Sequence, residues 1–287
     1  MPGKAAGDRM TRMERDDGYI LGSSEGERGR LVRQADLYEA ETRRLFRDAG
    51  VHDGMRVLDV GSGAGDVAFI AADLVGPTGS VLGIDVDPGV LAIARERATQ
   101  QHRGNVRFID GDAIDAEVGS GFDAAVGRFV LMHAPDPVAL LAAVCGRVRP
   151  GGVIAVAEGD LTMGMGFAQD HPSELIRAIW AWSAETFRRA GIPVTMAPML
   201  VHAFAAAGLG IPQMSLYAPL GARPDWPGFD VDADTLASMA PLLEKLGIVT
   251  QDELDAATLA ERYRTETART GYPFLMLPIV TAWAIKP

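Results

Sequence analysis

A doubly wound α/β fold built on a seven-stranded sheet is the class this sequence predicts, and three observations predict it. The first is the stretch from Arg56 to Asp66, RVLDVGSGAGD, in which a short apolar run turns abruptly into Gly61, Gly63 and Gly65. The second is the order that follows, in which apolar strand-like runs alternate with helical patterns up to residue 160, as in successive parallel βαβ units. The third is the run FDAAVGRFVLMH, which past Asp123 is apolar except for Arg128 and His133, as a strand covered on both faces has to be.

Composition bounds the function. A chain of 287 residues that is 48% hydrophobic can bury a sizeable core. The formal charge of −11 argues against a nucleic-acid partner, and because residues 1–56 hold equal numbers of basic and acidic side chains, residues 57–287 carry the whole excess. No stretch is long and apolar enough to span a bilayer, and the amino terminus MPGKAAGDRM lacks an apolar export core, so the expected location is cytoplasmic. Cys145, the single cysteine, sits in an apolar run and reads as a buried helical residue. No Cys/His cluster has metal-ligand spacing, so no metal is expected.

Taken in order, residues 1–17 are glycine-rich and charged and are expected to be disordered. Residues 18–50 form an expected helical cap, with Leu31, Ala35, Tyr38, Thr42, Leu45 and Phe46 on one stripe. Residues 51–160 make the central unit. Its first strand ends in the glycine turn, where backbone can approach a ligand closely, and Val67, Ile70, Ala71 and Leu74 then share one face of a helix. A second strand, SVLGID, ends at Asp85, 24 residues after Gly61, where a βαβ nucleotide site places its ribose-binding carboxylate. Asp87 and Pro88 cap the next helix, which leaves Asp85 for a ligand.

The turn itself separates two kinds of ligand. A dinucleotide fingerprint requires a third glycine at the helix start, and this chain has Asp66 there. A negative side chain would repel a pyrophosphate and tolerate a ligand carrying an ammonium group. LDVGSGAGD resembles the first motif of the class I S-adenosylmethionine (SAM) methyltransferases. GIDVDPGVLAIAR, VRFIDGDAID, FDAAVGRFVLMHAPDP and RVRPGGVIAVAEGD resemble the family's later motifs, in order, over residues 56–160. The resemblance is strongest to ubiquinone and menaquinone biosynthesis methyltransferases and to related bacterial small-molecule methyltransferases.

The resemblance implies a Rossmann-like sheet whose last strand is antiparallel, with SAM as cofactor and S-adenosylhomocysteine as product. It implies that Gly61, Ser62 and Gly63 cradle SAM and that Asp85 with Val86 holds its ribose. Asp112 would accept from the adenine amine, with the Ala113 amide donating to a ring nitrogen. The pattern around Tyr19 and Gln34 is similar to segments that fold over the methionine end in such relatives. Tyr19 could equally be a hydrophobic staple and Gln34 a solvated helical residue. Arg128 requires a partner if buried, with a SAM carboxylate, Glu158 or Asp59 as candidates. Phe129 would offer its carbonyl to the SAM ammonium. His133 is either a general base near the methyl group or a local partner in the HAPDP turn.

Beyond residue 160 the composition shifts toward aromatics and methionines, among them Met163, Met165, Trp180, Phe187, Met196, Met199 and Met214. Residues 161–210 and 221–270 are expected to form a helical lid, and residues 211–220 and 271–287 to add strands to the central sheet. SELIRAIWAWSAETFRR carries two apolar rows, one through Trp180 and Phe187 and one through Ile179 and Trp182. The second row fits either an apolar substrate pocket, for which flexible methionines are suited, or a homodimer interface. The fifth strand delivers Glu158 and Asp160 to the same edge, where either could face the substrate pocket, with structural pairing to Arg128 competing for Glu158. Thr250 and Glu253 form a capping box at the start of an expected helix over residues 250–269. Pro278, inside the last strand, calls for a sheet edge or a bulge.

The expected activity is methyl transfer to a small or medium-sized, partly hydrophobic organic acceptor, driven mainly by proximity and alignment. Two alternatives stand beside it: an NAD(P)-dependent oxidoreductase and a SAM-binding protein without turnover. Quinone methylation at a membrane surface is disfavoured by the acidity and by the lack of a basic amphipathic helix.

Overall fold

The computed structural model describes residues 25–114 and 118–287, with side chains from Gln34 onward. Helix α1 (Glu25–Asp48) buries Ala35, Tyr38, Thr42, Leu45 and Phe46 of the expected stripe. Tyr19 and the Leu31 side chain lie outside the described residues.

Seven strands pair in one sheet. In chain order they are β1 (Arg56–Val60), β2 (Ser80–Asp85), β3 (Val106–Asp110), β4 (Phe122–Arg128), β5 (Val148–Gly159), β6 (Gln213–Tyr217) and β9 (Ile279–Ile285). Their spatial order is β3-β2-β1-β4-β5-β9-β6, and β9 alone runs antiparallel to its neighbours. Strands alternate their side chains between two cores: Leu58, Val60, Ala125 and Ile154 enter one, and Val57, Val81, Ala124 and Val126 the other. The order reverses between β1 and β4, so a crevice opens at the carboxyl ends of those two strands.

Helices α2 (Asp66–Val75), α3 (Pro88–Gln100) and α4 (Pro137–Arg147) complete the βαβ units, and acids terminate the free amides of two of them. Asp87 accepts from Gly89 at 2.7 Å, and Asp136 accepts from Ala139 at 2.9 Å. Helices α5 (Leu161–Gln169), α6 (Glu174–Arg189), α8 (Gly228–Lys245), α9 (Gln251–Leu254) and α10 (Leu259–Thr270) pack on one another, whereas α7 (Ala197–Ala206) lies against α4 and β9. A two-residue pairing joins β7 (Leu220–Gly221) to β8 (Phe274–Leu275). No helix among the described residues is long and apolar enough to cross a membrane.

Several local expectations need correction. The last apolar run is two strands, because Pro278 has no amide hydrogen to give a ladder and pairing begins only at Ile279. β9 is therefore an interior strand, and the proline stands just before it rather than at an edge. Helix α8 starts at Gly228, because Pro227 at its cap already holds φ at −69° and Trp226 packs on Phe229 at 5.3 Å. The capping box of Thr250 and Glu253 forms, but the helix it opens stops at Asp255, whose φ of 44° is left-handed.

Candidate functional site

The crevice at the switch point widens into a cavity of about 800 Å³ that runs from the glycine turn to the faces of α6 and α8. That volume lies within the roughly 300–1,000 Å³ typical of ligand clefts. Gln34, Gly61, Ser62, Gly63, Asp85, Val86, Asp112, Ala113, Arg128, Phe129 and His133 all line it. The residues expected to bind the cofactor are thus gathered around one space with His133, and Tyr19 lies outside the described residues.

The turn is shaped by conformations that only glycine adopts freely. Gly61, Gly63 and Gly65 have φ of 62°, 51° and 90°. A Cβ on Gly61 would stand 2.6 Å from Cγ2 of Val130, and one on Gly65 would stand 2.9 Å from both Phe69 and Phe108. Gly63 is pinned from outside, its amide donating to the Asp85 carboxylate at 2.8 Å, while the Asp87 amide donates to the other Asp85 oxygen at 3.0 Å. Burial raises the Asp85 carboxyl above its usual range, opposed by those amides.

Asp66 does open α2, as the dinucleotide argument required, but its charge is not free. Arg97 on α3 pairs with it at 2.7 Å and donates to the Ala64 carbonyl at 2.7 Å, with its guanidinium 5.2 Å from the Phe69 ring centre. The repulsion expected of Asp66 toward a pyrophosphate is therefore largely neutralised. Arg97 also braces the turn, a role that its place in an ordinary helical run did not announce.

At the end of β3, Asp112 accepts from the Ile114 amide at 2.8 Å, and the Ala113 carbonyl receives the Arg147 side chain at 3.1 Å. Val86 is 71% exposed at the cavity mouth. At the end of β4, the Arg128 guanidinium donates to the Thr42 hydroxyl at 2.9 Å and lies 6.0 Å from the centre of the Tyr38 ring. It stands at no ion-pair distance from Glu158, one of the partners considered for it, whereas its charge does act on Asp59, the other. Phe129 has a φ of 58°, uncommon for a side chain of this size, and its amide is anchored to the Ala157 carbonyl at 2.9 Å.

Glu158 and Asp160, either of which could have faced the substrate pocket, do not line the cavity. Glu158 is buried beneath the chain that leaves β4 and accepts from the amides of Val130, Leu131 and Met132 at 3.2, 2.9 and 3.2 Å. Burial pushes its carboxyl up to about 7 against those three bonds. Asp160 caps α5 and receives the Met196 amide at 2.8 Å, so it ties two lid helices together. Asp59, fully buried on β1, has neither oxygen in a hydrogen bond among the described residues, and burial raises it well above the carboxylate range, opposed mainly by the Arg128 charge. His133 is mostly buried, and desolvation lowers its imidazole to about 4, so it is neutral near neutral pH.

The far wall comes from residues that strand and turn motifs did not mark. Ile179, Trp180, Ser183 and Phe187 of α6 face the cavity, as do Asp232, Thr235, Leu236 and Met239 of α8. Of the second apolar row of α6, Ile179 shares the cavity with the first row, whereas Trp182 packs against the hydrophobic core instead. Of the methionines flagged by composition between residues 161 and 220, none lines it; Met132 and Met239 do.

Comparison with known proteins agrees with this geometry. A family model described as a methyltransferase domain matches residues 51–190. A demethylmenaquinone methyltransferase of Lactococcus lactis subsp. lactis (strain IL1403) is 30% identical over 127 residues, covering 44% of this chain and 49% of the relative. The chain therefore spans about half the length of that relative. The YcgJ protein from Bacillus subtilis superposes with a TM-score of 0.56 at 17% identity, covering 86% of this chain and 98% of that one. The [4+2]-cyclase SpnF superposes with a TM-score of 0.54 at 19% identity, covering 87% and 80%. At these identities the two structures show likeness of fold alone.

Proposed function

We propose that this chain, whose residues 51–190 match a family model described as a methyltransferase domain, is a class I SAM-dependent methyltransferase that transfers a methyl group from SAM to a small or medium-sized, partly hydrophobic organic acceptor. The observation that carries the reading is the single cavity joining the glycine turn to an aromatic and aliphatic chamber under α6 and α8. One end has the acceptors and backbone that an adenosyl group and an amino acid need. The other end is apolar and has room for a second molecule.

The residues present fit SAM on two structural grounds. The turn leaves no room for a Cβ at Gly61 or Gly65. Behind it, Asp59 is a fully buried carboxylate with no close hydrogen bond beyond a weak pull from the Ala68 amide, near enough to Arg128 to feel its charge, and positive charge at the cofactor end would offset the cost of burying it. We assign the ribose hydroxyls to Asp85 and the adenine amine to Asp112, with the Ala113 amide beside it and Val86 at the rim. The amino-acid end falls to Gln34, Arg128 and the Phe129 carbonyl, with Gly61, Ser62 and Gly63 along the middle. Bound there, SAM would supply a methyl group activated for in-line displacement.

What the chain contributes is alignment and exclusion of water. Positioning alone can lower the barrier by about 7–11 kcal/mol, so a strong base is not required. His133, held neutral and lowered to about 4, is a poor proton acceptor at neutral pH and better suited to orienting an acceptor by a hydrogen bond. The Glu158 clamp fixes the backbone from Val130 to Met132 along the cavity wall, where a small displacement would spoil that alignment. This reading implies a cytoplasmic enzyme that acts on a free small molecule, alone or as a homodimer, and has no nucleic-acid partner.

Isothermal titration with SAM, S-adenosylhomocysteine and NAD tests the proposal. Tight binding of the first two without NAD is expected, followed by turnover when apolar acceptors are screened. Binding of NAD alone would move the chain to the oxidoreductases. Binding of SAM with no turnover over a broad acceptor panel would favour a SAM-binding protein that does other work, and the likeness in fold to a protein titled a cyclase makes that outcome worth measuring.

A further inference from the structure

The apolar chamber contains one feature that closing a hydrophobic pocket does not require. Asp232, Thr235, Leu236 and Met239 stand at i, i+3, i+4 and i+7 on α8 and form its cavity-facing stripe. In such a stripe the first position would ordinarily be aliphatic, and here it is a carboxylate. Thr235 turns its hydroxyl back to the Val231 carbonyl at 2.7 Å, which leaves Asp232 as the prominent acceptor on that face.

Asp232 is held deliberately. The hydroxyl of Tyr263, on α10 and fully buried, donates to its Oδ2 at 2.8 Å. Tyr263 is fixed in turn by the Phe274 ring, 4.4 Å away between centres. Burial pushes the Asp232 carboxyl up to about 6, opposed by the Tyr263 bond, so it is mostly ionised at neutral pH. Tyr263 engages Oδ2, and the residue itself lines the cavity. Among the described residues that α5, α6, α8 and β8 contribute to the lining, Asp232 is the only titratable one, and no cation stands on that side.

A half-buried carboxylate with one oxygen fixed, in the wall of a mainly apolar space, is complementary to a hydrogen-bond donor on an apolar body. We propose that Asp232, oriented by Tyr263, anchors the methyl acceptor by accepting a hydrogen bond from its hydroxyl or protonated nitrogen, and selects against carboxylated and phosphorylated molecules. The identification of the bound molecule as the methyl acceptor rests on the methyltransferase reading. Trp180, Phe187, Leu236 and Met239 enclose the rest of it, so the substrate class is a neutral or cationic aromatic or aliphatic compound with a donor group.

The test titrates naphthol, naphthalene and naphthoate into the protein saturated with S-adenosylhomocysteine, at about pH 8, where Asp232 is ionised. The wild type should prefer naphthol over naphthalene by roughly tenfold to hundredfold and should bind naphthoate least. Asp232→Ala should erase the preference. Asp232→Asn keeps an oxygen for Tyr263 and turns an amide donor to the ligand, so the order should invert in favour of naphthoate; a purely structural aspartate would produce no inversion. Tyr263→Phe should reduce the preference for naphthol and restore none of it to naphthoate.

Failure of the wild type to prefer naphthol, whether naphthalene binds equally or neither binds, overturns the proposal. An unchanged order in Asp232→Asn also overturns it, and because that variant is nearly isosteric it decides the matter should Asp232→Ala fail to fold. S-adenosylhomocysteine titrated into the same samples keeps the two readings apart. Its failure to bind removes the methyltransferase reading, whereas intact binding without discrimination among the probes removes only this one.

Discussion

Substituting Gly61 by alanine tests the coupling between the glycine turn and the exit of β4. Two costs are predicted. A side chain at φ of 62° enters the left-handed region, at about 1–2 kcal/mol. The new Cβ would also stand 2.6 Å from Cγ2 of Val130, whose amide is bonded to Glu158 at 3.2 Å, so relief by moving Val130 strains that wall at about 1–3 kcal/mol. The single variant should therefore lose about 2–5 kcal/mol, measured by urea unfolding. Val130→Ala removes the clashing methyls, so the double variant should recover the steric part, about 1–3 kcal/mol, and leave the conformational part in place. Titration with S-adenosylhomocysteine should follow the same order, because a shifted Val130 carries Phe129 with it. Additivity of the two substitutions within about 0.5 kcal/mol would refute the steric argument and place the whole cost in the backbone.

Three other outcomes follow from the same geometry. Asp85→Ala should weaken SAM binding by about 1–3 kcal/mol and also loosen the turn through Gly63; calorimetry showing unchanged affinity would put the ribose elsewhere. Glu158 has its folded carboxyl raised from 4.5 to about 7, so its contribution to stability is full below about pH 4.5 and is lost as pH rises through about 7, a swing of about 3 kcal/mol. Glu158→Gln should flatten that portion of the stability profile, read from urea midpoints across the window, and a profile identical to wild type would contradict the assignment. Gly164→Ala on α5 would put a Cβ 2.0 Å from the Trp180 ring, so the ring should be driven toward the cavity. A changed tryptophan emission with S-adenosylhomocysteine affinity retained is expected, and a loss of about 1–3 kcal/mol in stability should accompany it.

Much of the cofactor end was legible in the sequence because its parts are local. The strand, the glycine turn and the helix of residues 56–75 lie next to one another in the chain, and a turn that needs left-handed φ selects glycine at three positions whatever packs around it. Asp85 and Asp112 were legible for the same reason, each standing at the end of a strand whose apolar pattern marks where it stops. The α1 stripe and the capping box of Thr250 are also short-range signals, and both formed.

Partners far apart in sequence belonged to the tertiary structure. Glu158 looked like a substrate-edge acid, and only the fold brings it beneath residues 130–132, where three amides with no other acceptor claim it. Asp66 looked like a free negative charge until α3 supplied Arg97, and Pro278 suggested an edge strand until β9 was placed between β5 and β6. The acceptor chamber was least visible of all. Its wall is made from α6, α8 and β8, whose helical periodicity says which side is buried but not whether a neighbouring helix or a cavity lies there. Sequence by itself determined the glycine turn between strand and helix, because backbone geometry is set by residues close along the chain. Packing alone decided which carboxylates are spent on amides, as Glu158 is, and which, like Asp232, take a side-chain partner in the cavity wall.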